Sequence, residues 1–258
     1  MSGDWARGAT LAWWSFRGSL RGSRLIALGA FASVPSLVIL ALLTARPGPQ
    51  ALANAAESLF ASLTLPVAAM VVVLVVAVAQ FRNEIDNETL VYISDRSIPR
   101  ATVVVGKFLG AVGASLVLVL PSALAPLAIA ELGGGTAYPS AAIAAIFLAT
   151  VLAVLAYVAV FLFVGLATPS ALIIGLLFGF LWEGLLPLLP GDVPKLTLIF
   201  YLRSLLSGEL TSGPLSGYAS AVSGSTAVVA LLVATVGFLI LGIVVFRTLE
   251  TVPDRQSA

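Results

Sequence analysis

The sequence has no cysteine and no histidine among its 258 residues. Without cysteine there is no disulfide framework and no thiolate nucleophile. Without either residue the usual zinc ligand sets are excluded, and so is the commonest general base. Charge is also scarce. Asp, Glu, Lys and Arg together make up 10% of the chain, against about 25% in a soluble globular protein. The net charge of +1 gives no basis for nucleic-acid binding. What fills the chain instead is apolar: 60% hydrophobic residues and a mean hydropathy of +1.10. The composition implies an all-α integral membrane protein that crosses the bilayer several times.

Crossing the hydrocarbon takes about 20 apolar residues. The stretch between Arg24 and Arg46 holds 21 uncharged residues, that between Glu57 and Arg82 holds 24, and that between Lys107 and Glu131 holds 23. Each accommodates one span. Between Glu131 and Glu183 lie 51 uncharged residues, too many for one crossing. The break belongs at Gly165–Ser170, because Pro169 disfavours helix at Thr168 and opens a new helix well. A last apolar run ends near Phe246. Six spans are expected, roughly 25–45, 59–81, 104–130, 141–164, 169–189 and 225–246, in a single transmembrane domain over residues 1–258.

Arginine and lysine set the orientation. With the N-terminus inside, the cytoplasmic side collects Arg7, Arg17, Arg21, Arg24, Arg82, Arg96, Arg100, Lys107, Arg247 and Arg255, and the outside only Arg46, Lys195 and Arg203. Both termini are then cytoplasmic. Asn87-Glu88-Thr89 matches a glycosylation acceptor, but in this topology it faces the cytosol. The first apolar run is longer than the ~7–15 residues of a signal peptide core, so it reads as a span.

The N-terminal segment suits an interfacial helix. Arg17, Arg21 and Arg24 share one face, and Trp13, Phe16 and Leu20 another, the pattern of a headgroup-level element. Outside, Leu196, Ile199, Phe200 and Arg203 suggest one short amphipathic helix. In the fifth span Ala171, Gly175, Gly179 and Glu183 recur every four residues, a stripe along which helices approach closely in lipid. Glu183 reads either as the boundary of that span beside Trp182 or as a group facing the stripe or a central pathway, since a carboxylate does not face hydrocarbon.

The densest charge lies in NETLVYISDRSIPRATVVVGKFLG, residues 87–110. Glu84, Asp86 and Glu88 favour a helix start, and Pro99 begins the next helix. Arg100 and Lys107 share a face, with Lys107 expected to snorkel to the cytosolic surface. On residue pattern alone this is either a solvated loop or a partner-binding one.

The order Glu88-Thr89-Leu90, Ile93, Ser97-Ile98-Pro99-Arg100 and Gly106-Lys107 resembles the signature of ABC-2 type transporter permeases. The resemblance implies six spans with both termini inside, an N-terminal interfacial helix, and a first cytoplasmic loop that forms a coupling helix. It implies docking on a separate ABC ATP-binding subunit through Glu84, Glu88, Thr89, Leu90, Ile93, Pro99, Arg100 and Lys107, and pairing with a second permease copy or paralogue in the cell membrane. Gly106, Gly110, Gly175, Gly179 and Glu183 are then candidates for helix packing or the substrate pathway. ATP and Mg would belong to the partner subunit, with no cofactor or metal in this chain and no enzymatic activity of its own. The expected function is ATP-driven transport, with export as the direction. Consistent with ATP being handled elsewhere, Val103–Phe108 ends in Gly-Lys but lacks the first glycine and the hydroxyl of a phosphate-binding loop. The alternatives are a stand-alone carrier or channel, or a non-conducting scaffold. A carrier would place ionisable groups near mid-membrane, and only Glu131 and Glu183 come near.

Overall fold

Among the described residues, six helices are long and apolar enough to cross a membrane. The computed structural model describes residues 2–86, 99–210, 215 and 222–248, and no strand occurs among them. The spans are Ser23–Thr44, Pro49–Arg82, Arg100–Leu132, Ser140–Ala167, Ala171–Leu188 and Gly224–Thr248. A helix at Ser2–Ser19 precedes them, and a nine-residue helix, Leu198–Leu206, lies between the fifth and sixth.

Prolines set several boundaries. Pro49 occupies the first turn of the second span, where its missing N–H is no loss. That span therefore starts ten residues before the expected position, and Glu57 is carried inside it, buried at 6%. Pro99 likewise caps the third span at Arg100 rather than 104. Thr168, ahead of Pro169, is extended at φ −144° and ψ 141° and ends the fourth span. Pro66 sits within a π-helical stretch, Phe60–Ala68, in the middle of the second span. A ring with no N–H breaks the ordinary hydrogen-bond ladder, and a wider turn absorbs the break.

The fourth span forms the core, with Ala149, Ala153, Tyr157, Phe161 and Leu162 buried. It packs against the second, third and sixth spans. The first, fifth and sixth spans are peripheral and expose Ile26, Ile173, Val229 and Val233. Apolar burial does not drive association between helices in lipid, so close approach must. Gly165 supplies one such point, where a β-carbon would fall 3.3 Å from the Val78 Cα.

The N-terminal helix runs alongside the third span in the same direction. Gly8 faces Thr102, Leu11 and Ala12 face Gly106, Ser15 faces Gly110, and Phe16 faces Gly113. The face it uses is the small one, Gly8-Leu11-Ala12-Ser15. Of the expected aromatic face, Phe16 and Leu20 pack against the core, while Trp13 stays exposed and stacks on Phe16 at 5.7 Å.

Candidate functional site

The end of the bundle that holds Arg82, Arg100 and Arg247 also carries Glu84 and Lys107, two of the charged residues singled out from the sequence. Pro99 is extended and hands the chain to Arg100, the first residue of the third span. The Arg100 guanidinium donates to the Arg247 carbonyl oxygen at 3.4 Å, joining the start of the third span to the end of the sixth.

Lys107 does not snorkel to the surface. It is buried at 3% exposure. Its ammonium forms an ion pair with Glu84 Oε1 at 2.6 Å, donates to the Gln80 carbonyl oxygen and lies 4.6 Å from the Phe81 ring centroid. The physical reason is local. Glu84 lies one turn beyond Gln80 and Phe81 on the same helix, so a carbonyl, a π face and a carboxylate are presented together to Lys107. Three compensating contacts hold an ammonium that burial alone would disfavour. Gln80 also donates through Nε2 to Ser19 Oγ at 2.7 Å, so the N-terminal helix is tied into the same cluster.

Gly106 and Gly110 face the N-terminal helix. At Gly110 a β-carbon would fall 2.6 Å from Ser15 Cβ and 2.7 Å from the Ala12 carbonyl oxygen. Glu84, Pro99, Arg100 and Lys107 are thus gathered at one end of the bundle, with Gly106 and Gly110 beside them. Glu88, Thr89, Leu90 and Ile93 lie outside the described residues.

Glu183 occupies a second, separate cluster. It is buried at 5% exposure. Its Oε1 accepts from the Leu198 amide at 3.0 Å, and its Oε2 from the Ile199 amide at 2.8 Å and the Tyr157 hydroxyl at 3.3 Å. Thr197 Oγ1 accepts from the Phe200 amide at 3.4 Å. Three of the first N–H groups of the Leu198–Leu206 helix are thereby satisfied by side chains. A carboxylate at a helix N-terminus also meets the positive end of its dipole. Glu183 therefore ties the fourth span, the fifth span and this short helix together. Leu196, expected within the helix, is exposed in the preceding turn, while Ile199, Phe200 and Leu202 are buried. Gly175 and Gly179 lie against the side chains of Leu74 and Met70 on the second span, so the stripe ending at Glu183 faces a neighbouring helix.

Outside the spans, the exposed Asp192–Lys195 pair at 2.5 Å holds the Asp192 carboxyl below its ordinary range and the Lys195 ammonium above its own. Tyr138 donates to the Ala53 carbonyl oxygen at 3.1 Å. Burial, reinforced by Glu57 and Glu131, pushes its hydroxyl up to about 12.

Gln80, Tyr157 and the Gly8-Leu11-Ala12-Ser15 face were not singled out from the sequence. The last had a signal, since Gly8 and Ala12 repeat the four-residue spacing of Gly106 and Gly110. Gln80 had none, because what holds Lys107 there is its backbone oxygen. No protein-family model matches the chain, and a search of curated proteins finds no significant match.

Proposed function

We propose that the chain is the membrane-spanning permease subunit of an ABC-type exporter of the ABC-2 kind, moving substrate with ATP hydrolysed in a separate subunit. The observation that carries this reading is the signature Glu88-Thr89-Leu90…Pro99-Arg100…Gly106-Lys107, which follows the second of six apolar helices and runs into the first turns of the third. The residues that bracket it support the reading. Glu84 at one edge and Lys107 beyond the other are paired across the two spans, and Arg100 reaches the sixth. Force applied to the intervening segment would therefore reach three spans and, through Gln80 and Ser19, the N-terminal helix. Such a joint suits a docking loop, because a bound subunit shifts a conformational equilibrium only by its differential contacts in the two states. In this reading the N-terminal helix lies at the cytoplasmic interface, both termini are cytoplasmic, and two permease chains pair in the cell membrane.

The test is isolation of the chain from its native membrane in mild detergent, followed by identification of what accompanies it. The proposal predicts stoichiometric recovery of a subunit bearing a phosphate-binding loop, with ATP hydrolysis in the eluate. Recovery of the chain alone, with solute flux in vesicles independent of ATP, would assign it to the carriers or channels instead.

A further inference from the structure

Two cavities open side by side at the basic end of the bundle. One, of about 640 Å³, lies between the N-terminal helix and the first and second spans. The other, of about 570 Å³, lies between the second span and the start of the fifth. They share Arg24, Val75 and Ala79 in their walls, so they form one cleft with two lobes. Arg21 adds a second guanidinium to the first lobe and Arg82 to the second.

Lys107 and Glu84 also border the first lobe, paired at 2.6 Å. The three arginines come from both ends of the turn at Gly22 and from the second span. A guanidinium carries five N–H donors in a planar fork that matches a phosphate, so an intramolecular contact does not exhaust it. The remaining walls are apolar. Leu28 and Val76 line one lobe, and Leu172 and Ile173 the other. The last two are 48% and 63% exposed on the rim of the fifth span. Trp13 and Trp14 stand exposed on the adjoining N-terminal helix, as residues do at the level of lipid headgroups.

We propose that this cleft binds an anionic phospholipid, its phosphate held among Arg21, Arg24 and Arg82 and an acyl chain laid along Val75, Leu172 and Ile173. A cluster of arginines between membrane-spanning helices recognises phosphate headgroups, and the apolar walls distinguish a lipid from a soluble phosphate, which would leave them unfilled. The lipid would bridge the N-terminal helix, the second span and the fifth span. This inference rests on the membrane-spanning character of the helices and is independent of any ATPase partner.

The test uses the full chain purified in detergent, with lipid adducts read by native mass spectrometry. Phosphatidylglycerol is expected to bind well above phosphatidylcholine, and inorganic phosphate is expected not to displace it. Each arginine-to-glutamine change is expected to weaken phosphatidylglycerol binding about fivefold. Because the arginine variants alter topology signals, Ala79→Phe serves as a second variant. It keeps every arginine and fills the wall common to both lobes, and it is expected to reduce phosphatidylglycerol adducts at least as strongly. Equal binding of the two lipids, or phosphatidylglycerol binding retained in both Arg24→Gln and Ala79→Phe, would overturn the proposal. Displacement of the lipid by inorganic phosphate would overturn it too, and would reassign the cleft to a soluble anion.

Discussion

Lys107 and Glu84 make an unequal pair. The ammonium is 3% exposed and the carboxylate 30%. Removing the carboxylate leaves a buried cation without its anion, whereas removing the cation leaves a side chain that is 30% exposed, although its Oε2 is buried. Glu84→Gln is therefore expected to destabilise the protein by about 3 kcal/mol, as for a broken buried pair. Lys107→Met is expected to cost about 1 kcal/mol, near the value of an exposed one. Thermal unfolding in detergent checks the order, and a larger loss for Lys107→Met would contradict it. Glu183 differs in kind, because both its oxygens accept backbone N–H groups. Glu183→Gln turns one acceptor into a donor facing a donor, a cost of about 1.5–3 kcal/mol. Tyr157→Phe removes only one of three donors and is expected to cost about 1 kcal/mol. In the transport reading, Glu183→Gln also lowers export while leaving assembly with the ATPase intact. Unchanged export at matched membrane abundance would return Glu183 to a purely structural role. The sequence placed Glu183 away from lipid but could not name its partners. They come from residues 15 and 16 positions later and 26 earlier, and no periodicity records them.

Glycines at the same spacing do different work in different elements. At Gly110 a β-carbon would meet the backbone of the N-terminal helix, including the Phe16 amide at 2.9 Å. At Gly179 it would meet the thioether end of Met70, a flexible side chain that can swing aside. Gly110→Ala is therefore expected to lift the N-terminal helix off the third span, and Gly179→Ala to be tolerated. A cysteine pair replacing Gly8 and Thr102 reads this without background, since the chain has no cysteine of its own. The pair is expected to cross-link efficiently alone and with Gly179→Ala, and poorly with Gly110→Ala. Equal cross-linking in all three would contradict the close approach at Gly110. The N-terminal helix was legible as a helix, but its packed face was not. Basic and aromatic residues dominate its pattern, whereas the contact with the third span is made by Gly8, Ala12 and Ser15 between them, together with Leu11 and Phe16.

At the scale of the whole molecule the number of spans and most of their limits were legible, because length and apolarity decide them. The starts of the second and third spans were not. Pro49 opens the second helix and carries Glu57 inside it, and the third runs unbroken from Arg100, directly after Pro99. Orientation is a separate question from architecture. The distribution of arginine and lysine predicts that reporter fusions after Arg100 lie in the cytoplasm and those after Thr211 outside; the reverse would sink the inside–inside topology and the docking role together. The central claim is that the segment between the second and third spans takes force from a separate ATPase. Its most direct test is the double substitution Leu90→Asp with Ile93→Asp, followed by affinity purification of the membrane-inserted chain and assay of the bound ATPase. The chain is expected to stay in the membrane and the ATPase to be lost from the eluate. An ATPase that still co-purifies, with its turnover still responding to transported substrate, would contradict it.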